Sequence, residues 1–472
     1  MFSTSTTDGS HTVLLSPLDN YMPRIYVILY LVFHTPDTSA AVDALQAGVE
    51  KLGSQLPFLR GSVSTSDDSR GQMAITWSPS DPPLSLHSTP SLGTNPPSYD
   101  QLKSENAPLR YFANTFPALL RPRTGNNPGA PAFAASYTPL DTAVVLGIAV
   151  HHGLSDGTGV SEIIRFFASC TSGISPPEFQ SPHPDEPLLR RQLIHSALPS
   201  APTKSLPDRL ASLPEFYLLS AASLPQQVDT SAPKGNAKLF TFPLSKIEDA
   251  KGVLRIKGVE PAALTVNNIL TAVIWACIVR ARAARRGNTV LGNGASKMGF
   301  AVNARGIFTG TITQQPYLGN VNLFGLVEVP CTELERIGGR CLSTGTLEDL
   351  GPVIEGMYKA ARRVTGEHVA EVVAMMEEVG DVRDVAPNWV RSNGADLSVT
   401  SWANMGVYES DFGERVGRPV FMRVPEFESD GLVVVLPRKR EGREEKIEVV
   451  LLLCEEDLEF LEGDEVWRSW VG

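Results

Sequence analysis

The chain has 472 residues and a formal net charge of −11, with 42% hydrophobic and 20% charged residues. This length predicts two or three domains, and the apolar content excludes a disordered chain. The acidic balance argues against nucleic acid as a partner, because phosphate backbones require a basic face. A negative net charge still allows a local basic patch that binds an anionic cofactor.

Five scattered cysteines lack the C-x-x-C spacing of zinc sites and show no disulfide framework: Cys170, Cys277, Cys331, Cys341 and Cys454. They fit a reducing compartment. The N-terminus lacks the basic start and apolar run of a secretory signal. The longest apolar run, residues 25–33, has about nine residues, whereas a membrane span needs roughly 20. We therefore expect a cytoplasmic protein that uses no metal and spans no membrane.

In the first half of the chain, strands alternate with helices. The run 25–33 is apolar on both faces and predicts a buried strand. Spacings of three and four between apolar residues predict a helix at 39–52, and residues 62–107 read as loops with one or two strands. The remaining predicted elements are strands at 73–77 and 143–150 and helices at 160–167 and 186–198.

The second half follows a stretch rich in Pro and Ser, of which residues 196–235 are expected to connect two domains. Its predicted elements are strands at 239–244, 298–303 and 321–329, helices at 265–285, 347–364, 367–379 and 455–461, and a hairpin of strands at 431–437 and 447–453. The sequence thus predicts a mixed α/β protein with domains at 1–195 and 236–472.

The sharpest chemical signal is the sequence HHGLSDG, directly after strand 143–150. A neutral imidazole at His152 accepts a proton near pH 7, and Asp156 can hold the loop or the ring. Gly157 permits backbone angles that other residues resist. A lone H-x-x-x-D often arises by chance, so a plain loop histidine is the alternative. We expect His151 to point the other way and pack beside the loop.

At this motif the chain resembles the BAHD acyltransferase family, whose fold is shared with chloramphenicol acetyltransferase. HHGLSDG is similar to the family's H-x-x-x-D-G motif, and Asp411-Phe412-Gly413 to its D-F-G-x-G-x-P segment. Three residues separate this triplet from Gly417 in this chain, whereas the family segment has one residue there. Weaker matches in the same order are LSPLDNYMPRIYV, typical of fungal members, and PFLRG, TVNNILTAVIWACIVRAR, VNAR, YLGN and DGLVVVLPR.

The resemblance implies two chloramphenicol acetyltransferase-like domains, each a mixed β-sheet flanked by helices, with an active-site channel at their interface. It implies that His152 takes the proton of an acceptor hydroxyl, which attacks the thioester of acyl-CoA without an acyl-enzyme. Asp156 would point away and pair with an arginine, for which Arg305 is the candidate. Thr400 and Trp402 would donate hydrogen bonds to the oxyanion.

The triplet Asp411, Phe412 and Gly413 has a structural role in the family and is expected to hold a loop near the CoA side. Without the other motif the triplet reads as a β-turn. The three-residue spacing leaves the shape of this loop open.

The start of helix 265–285 is the expected cofactor site, because a helix N-terminus attracts phosphate. The expected cofactor-binding residues are Thr265, Asn267, Asn268 and Ser401. Arg282, Arg285 and Arg286, at the other end of this helix, are either phosphate ligands or a solvated helix end.

The resulting prediction is an acyl-CoA-dependent O-acyltransferase that acts on a hydroxyl of a small secondary metabolite. The expected donor is acetyl-CoA, and the expected state is a monomer without nucleic acid, membrane or metal. One alternative is a condensation-type transferase whose donor is carried on a protein. Another is a catalytically silent homologue that binds CoA or a metabolite.

Overall fold

The computed structural model describes residues 3–5, 9–66, 70–89, 92, 96–112, 116, 120, 129–174, 180–219, 235–285, 294–308, 316–339, 347–391 and 394–472. The helices are α1 (Pro17–Asn20), α2 (Thr38–Gln55), α3 (Tyr99–Ser104), α4 (Gly157–Ser172), α5 (Glu186–Ala197), α6 (Leu206–Ala211), α7 (Leu244–Ile256), α8 (Val266–Arg285), α9 (Cys331–Gly338), α10 (Leu350–Arg362), α11 (Gly366–Glu378), α12 (Glu455–Gly463) and α13 (Glu465–Trp470). Short 3-10 turns lie at Pro57–Arg60, Leu109–Tyr111, Pro261–Ala263, Arg305–Ile307, Leu347–Asp349, Val382–Asp384, Val407–Glu409 and Gly442–Glu444.

The strands are β1 (Ser3–Ser5), β2 (His11–Leu14), β3 (Tyr26–His34), β4 (Ser62–Thr65), β5 (Met73–Trp77), β6 (Leu86–Ser88), β7 (Ala130–Pro131), β8 (Phe133–Pro139), β9 (Ala143–His151), β10 (Phe216–Leu218), β11 (Gly235–Pro243), β12 (Ala295–Asn303), β13 (Asn322–Pro330), β14 (Val385–Pro387), β15 (Leu397–Ser401), β16 (Phe421–Arg423), β17 (Leu432–Val435) and β18 (Lys446–Cys454).

Two five-stranded sheets belong mainly to the first half of the chain. One is antiparallel, in the order β1-β2-β5-β4-β7, and the other is mixed, in the order β16-β3-β9-β8-β6. In the mixed sheet β3 pairs antiparallel with β9, and every residue of β9 is buried. This burial explains why both strands are almost uniformly apolar in sequence.

A six-stranded mixed sheet, in the order β11-β18-β17-β15-β12-β13, forms the second half. The antiparallel pairing of β17 with β18 confirms the predicted hairpin. Helix α7 was not predicted, and the predicted helix 347–364 begins later, at Leu350, after a 3-10 turn.

Helix α8 is buried against the six-stranded sheet. Its Trp275 is fully buried, and the indole Nε1 donates to Ser296 Oγ at 2.8 Å. By length and composition, α8 is the single helix in the described ranges that could span a membrane. The sequence prediction, which considered only continuous apolar runs, did not identify it. Since 78% of its most apolar stretch is buried, it has the packing of a core helix.

Strand β16 joins the two halves, because it belongs to the second half in sequence and pairs with β3 of the first. Phe421 lies opposite Val32, and Arg423 lies opposite Tyr30. The fold is therefore the expected two-domain α/β arrangement with a strand exchanged across the interface. The boundary at 196–235 stays a prediction, and its residues 220–234 lie outside the described part of the chain.

Candidate active site

A cavity of about 1780 Å³ is lined by residues from both halves of the chain. The first half contributes the start of β3 and the loop that carries His152, and the second contributes the start of α8 and residues of β12, β15 and β17. This position agrees with the predicted site at the interface of two domains.

His152 is held at the end of a rigid strand. Its backbone N–H donates to Ile25 O at 2.8 Å, continuing the pairing of β9 with β3, in which His151 lies opposite Tyr26. Four residues later Asp156 caps helix α4 by accepting a hydrogen bond from Gly159 N at 2.9 Å. The loop between them is thus anchored at both ends.

The surroundings of His152 favour a neutral imidazole. Burial lowers the pKa of His152 below its ordinary 6.5, while its own backbone carbonyl, Asp156 and Asn320 partly oppose this shift. Its Nδ1 is buried and has no hydrogen-bond partner in the described ranges. The ring lines the cavity, so Nε2 is the nitrogen left to accept a proton there.

His151 packs beside the loop, as predicted. Its ring meets Tyr26 edge-on at 5.2 Å, and its Nδ1 accepts a hydrogen bond from Gly153 N at 3.2 Å. Burial, with a smaller contribution from His152, lowers the pKa of His151 to about 4. Unlike His152, it does not line the cavity.

Asp156 forms an ion pair with Arg305, the candidate partner that the family resemblance implied. Arg305 donates to both carboxylate oxygens at 2.9 Å, and Val321 N donates at 2.9 Å as well. Burial alone would raise the pKa of Asp156, but the charge of Arg305 and these hydrogen bonds outweigh it, and the pKa is lowered. The ionised carboxylate therefore shapes the loop rather than taking a proton from His152.

Thr400 lies in β15, and Trp402 directly follows the last residue of this strand. Both line the cavity, and Trp402 is anchored by its backbone N–H to Val435 O at 2.8 Å. The indole lies against Gly157, where an added Cβ would be 3.3 Å from Trp402 Cδ1. Within the described ranges neither the Thr400 hydroxyl nor the indole N–H has a hydrogen-bond partner, so both can donate into the cavity.

Comparison with known proteins identifies the family. The model of the Transferase family matches residues 106–466, which is more than half of the chain. The chain belongs to this family, the BAHD acyltransferases. A second model, the trichothecene 3-O-acetyltransferase-like N-terminal domain, matches residues 25–170.

Relatives of similar length support this membership. The trichothecene 8-O-acetyltransferase of Fusarium sporotrichioides is 29% identical over 98% of both chains, and the O-acetyltransferase ptmV of Penicillium ochrochloron is 27% identical over 97% of this chain and 96% of its own. The crystal structure of F. sporotrichioides TRI101 with coenzyme A and T-2 superimposes with a TM-score of 0.71 at 20% identity, covering 98% and 99% of the two chains. The protein is thus a BAHD acyltransferase with the fold of TRI101.

The Asp411–Phe412–Gly413 segment of this BAHD protein lies away from the cavity lining. Phe412 is buried and meets Phe33 and Phe167 edge-on at 5.0 and 5.4 Å. Gly413 has a φ of +90°, and Gly417 N donates to its carbonyl at 2.7 Å, which closes the three-residue spacer into a tight turn. The segment fastens the second half of the chain to β3 and α4 of the first.

The expected cofactor-binding residues Thr265, Asn267, Asn268 and Ser401 all line the cavity. Thr265 Oγ1 caps α8 by accepting from Asn268 N at 3.0 Å. Asn267 does not cap the helix, and its Oδ1 is buried without a partner in the described ranges.

At the basic end of α8, Arg282 and Arg285 are paired with carboxylates of the chain. Arg282 is fully buried and donates to Asp430 at 2.9 Å, and Arg285 donates to Asp457 at 2.7 Å. Both suggestions, phosphate ligand and solvated helix end, were therefore wrong for Arg282, because the helix runs into the core. Arg286 lies outside the described residues.

Sequence reasoning missed a buried ionic cluster behind the catalytic loop, formed by Asp19, Glu186 and Arg190. Arg190 donates to Glu186 at 2.7 Å and to Leu154 O at 2.7 Å, and it lies 3.4 Å from Asp19. All three side chains are almost completely buried. The spacing of four residues between Glu186 and Arg190 is typical of an ion pair on one face of a helix, but nothing in the sequence links Arg190 to Asp19.

This cluster reaches His152 through Asn320. Asn320 Nδ2 donates to Asp19 Oδ1 at 2.8 Å and to His152 O at 2.9 Å. Glu186 accepts hydrogen bonds from Leu318 N and Gly319 N at 3.1 and 3.2 Å. The segment 318–320, noted in the sequence only as a family match, is therefore the bridge between the ionic cluster and the catalytic loop.

Proposed function

We propose that this BAHD acyltransferase transfers an acetyl group from acetyl-CoA to a hydroxyl of a small secondary metabolite. The observation that carries the proposal is His152, a partly buried and neutral imidazole that lines a large cavity between the two halves. The names of several relatives describe O-acetyltransferases, and TRI101 was crystallised with coenzyme A.

The first chemical step forms one bond and moves one proton. The acceptor hydroxyl gives its proton to His152 Nε2 while its oxygen attacks the thioester carbonyl carbon. Proton removal during attack is needed because a neutral hydroxyl is a weak nucleophile. The Thr400 hydroxyl and the Trp402 indole N–H then donate to the carbonyl oxygen, which has become an oxyanion.

The second step breaks the carbon–sulfur bond. The oxyanion collapses to the ester, the CoA thiolate leaves, and the proton that His152 took from the acceptor hydroxyl passes to the sulfur. The histidine is thereby restored to its neutral form, and no group remains bound to the enzyme. Asp156 keeps its charge throughout, because Arg305 holds both of its oxygens.

We infer that CoA binds at the side of the cavity formed by the start of α8. Thr265, Asn267 and Asn268 at the start of α8, together with Lys251 and Arg438, line this side. A helix N-terminus and nearby cations suit the phosphates of CoA. Ser401, the last residue of β15, also lines the cavity.

The test is an assay of CoA release from acetyl-CoA with a panel of alcohols, run in parallel with an acetylated carrier protein as donor. We expect free acetyl-CoA to support transfer and the carrier protein not to. Transfer from the carrier protein alone would favour the condensation-type alternative, and absence of any transfer would favour a silent homologue.

We further propose that the enzyme acts as a cytoplasmic monomer, since one chain supplies every residue of the candidate site. Light scattering coupled to gel filtration is expected to give the mass of one chain, 51.0 kDa, and fluorescent tagging a diffuse cytoplasmic signal.

A further inference from the structure

Arg391, which lies between β14 and β15, is a half-buried cation that lines the cavity. Within the described residues its guanidinium makes neither a hydrogen bond nor an ion pair. Burial lowers the pKa of Arg391, and the charge of Asp430 only partly opposes this shift. A cation removed from water without a partner is costly, so this position favours a ligand that carries an anion.

The other cations that line the cavity in the described part of the chain are already engaged. They are Arg24, which donates to Thr65 Oγ1 and Gly71 O; Lys251, which lies 3.5 Å from Glu248; Arg383, which pairs with Asp381; and Arg438, which pairs with Glu445. Arg391 alone of this set keeps its hydrogen-bond donors for a ligand.

Two carboxylates lie near Arg391, and both have other partners. Asp430 accepts a hydrogen bond from Arg282 Nη2 at 2.9 Å. Asp396 accepts from two backbone N–H groups at 2.7 and 2.8 Å. Neither carboxylate bonds to Arg391, so its charge remains available to an anion in the cavity.

Arg391 lies far from the start of α8, where CoA is proposed to bind. A Cβ at Gly431 would be 3.0 Å from Arg391 Cβ and 3.1 Å from Arg282 Nη2, which places Arg391 beside the last turns of α8. Val266 and Arg282 are 16 residues apart, and a helix rises 1.5 Å per residue, so these two levels are separated by about 24 Å. No single side chain bridges that distance, which argues against the phosphates of CoA as the anion.

The same position is close to the expected oxyanion donors. Ser398 N donates to Gly431 O at 2.8 Å, and Thr400 follows two residues later in β15. Because a strand advances about 3.3 Å per residue, Thr400 lies about 7 Å along the sheet from the level of Arg391. One acceptor molecule can therefore reach Arg391 with an anionic group and His152 with its hydroxyl, within a single cavity.

We propose that Arg391 binds a carboxylate of the acceptor, so that the enzyme selects hydroxy acids over neutral alcohols of the same shape. The inference rests on the proposed function and adds a charged group to the acceptor. A guanidinium can donate two parallel hydrogen bonds to one carboxylate, which fixes the orientation of the ligand as well as adding affinity. A neutral acceptor leaves Arg391 unpaired in the complex and is thereby disfavoured.

The experiment measures kcat/KM with acetyl-CoA for two hydroxy acids, trans-4-hydroxycyclohexanecarboxylic acid and lithocholic acid, each against its primary amide. The amide keeps the shape of the acid and removes its charge. We expect wild type to prefer at least one acid over its amide by about tenfold to hundredfold, because hydrogen bonds between charged groups are stronger than neutral ones. Arg391→Met should remove this preference by lowering kcat/KM for the acid alone, and Arg391→Lys should retain part of it.

Arg24→Met is the matched control, because it removes a cation of the same cavity whose guanidinium is already bonded to the chain. It should keep the wild-type ratio of acid to amide. KM for acetyl-CoA should stay at the wild-type value in every variant, since CoA is proposed to bind at the start of α8.

Three results would overturn the inference while leaving the proposed function intact, since each includes acetyl transfer to an alcohol. They are equal acetylation of acid and amide by wild type, an equal loss for both in Arg391→Met, and a rise in KM for acetyl-CoA in that variant. The last result would assign the anion site to the donor.

Absence of transfer to every alcohol would count against the proposed function, and binding then decides the inference. Isothermal titration of the two acids is run with wild type and with Arg391→Met. Binding that Arg391→Met weakens supports the carboxylate site, whereas binding that it leaves unchanged, or no binding of either acid, contradicts it.

Discussion

Burial and charge act in opposite directions on the imidazole of His152. Burial lowers its pKa, while the backbone carbonyl, the Asp156 carboxylate and Asn320 partly oppose the shift. Because the pKa remains below 6.5, most molecules hold the base in its neutral, active form at pH 7. The aspartate thus assists catalysis through its field and the loop rather than through proton transfer.

The pH dependence follows from this shift. A base is active when deprotonated, so kcat/KM should be level at neutral pH and fall by about tenfold per pH unit below the pKa of His152. Asp156→Asn removes a carboxylate that raises this pKa, so the acidic limb should move to lower pH while the plateau drops. A pH profile of both enzymes measures this, and an acidic limb above pH 7 in wild type would disagree.

A second prediction at the residue scale concerns the hydrogen bond that the Trp402 indole N–H donates to the oxyanion. Trp402→Phe keeps an aromatic ring against Gly157 but removes the donor, so kcat should fall by about 10²–10³-fold with little change in KM for acetyl-CoA. Thr400→Val, which keeps the shape and removes the hydroxyl, is the matched variant for the other donor. Initial-rate kinetics distinguish a fall in kcat from a rise in KM with kcat unchanged. The latter result would contradict an oxyanion role for both groups.

At the scale of elements, the loop between His152 and Asp156 is fixed by contacts with two arginines. Arg305 holds Asp156 at the start of α4, and Arg190 of α5 holds the carbonyl of Leu154. Both guanidiniums also bond to carboxylates that have little exposure to solvent. The two contacts approach the loop from different elements, so each limits its motion in a different direction.

Arg190→Met tests the contact that the sequence did not reveal. It leaves Asp19 and Glu186 buried without their cation, so we expect a loss of about 3–5 kcal/mol of unfolding free energy. In the folded fraction kcat should fall more than KM for acetyl-CoA rises, because the loop rather than the CoA side is loosened. Urea denaturation and steady-state kinetics measure the two effects. Arg191→Met, a change of its neighbour, is the control and should retain kcat.

The Asp411–Phe412–Gly413 segment gives a prediction about stability. Phe412→Ala removes a buried ring from between Phe33 and Phe167 and should cost about 3–5 kcal/mol. Asp411→Asn, in the same turn, changes a side chain that is 55% exposed and 3.6 Å from Arg418, so its effect should lie within about 0.5 kcal/mol. Denaturation curves of the two variants decide, and equal losses would contradict the assignment of Phe412 as the structural residue.

At the scale of the whole molecule, the two halves meet through main-chain atoms as well as side chains. Ser155 Oγ donates to Leu318 O at 2.7 Å, and Asp156 accepts from Val321 N. Strand β16 adds a sheet pairing across the same interface. The position of His152 therefore depends on contacts between the two halves, such as that of Asn320 with His152 O, as well as on its pairing with Ile25 in the first half.

The sequence predicted the parts of this arrangement that depend on local pattern. The apolar runs predicted β3 and β9, and the motif after β9 predicted the position of His152. The pairing of Asp156 with Arg305 came from the family resemblance, which named Arg305 as the candidate partner. Contacts between distant segments carry no local pattern. For that reason the sequence did not predict the Asp19–Arg190 contact or the exchange of β16.

The most direct test of the central claim is acetyl transfer by His152→Ala with CoA binding measured on the same preparation. We predict that the variant folds, binds CoA with the affinity of wild type, and forms ester at least about 10³-fold more slowly, because it lacks the base. Transfer by His152→Ala at the wild-type rate would contradict the assignment of His152 as the group that deprotonates the acceptor.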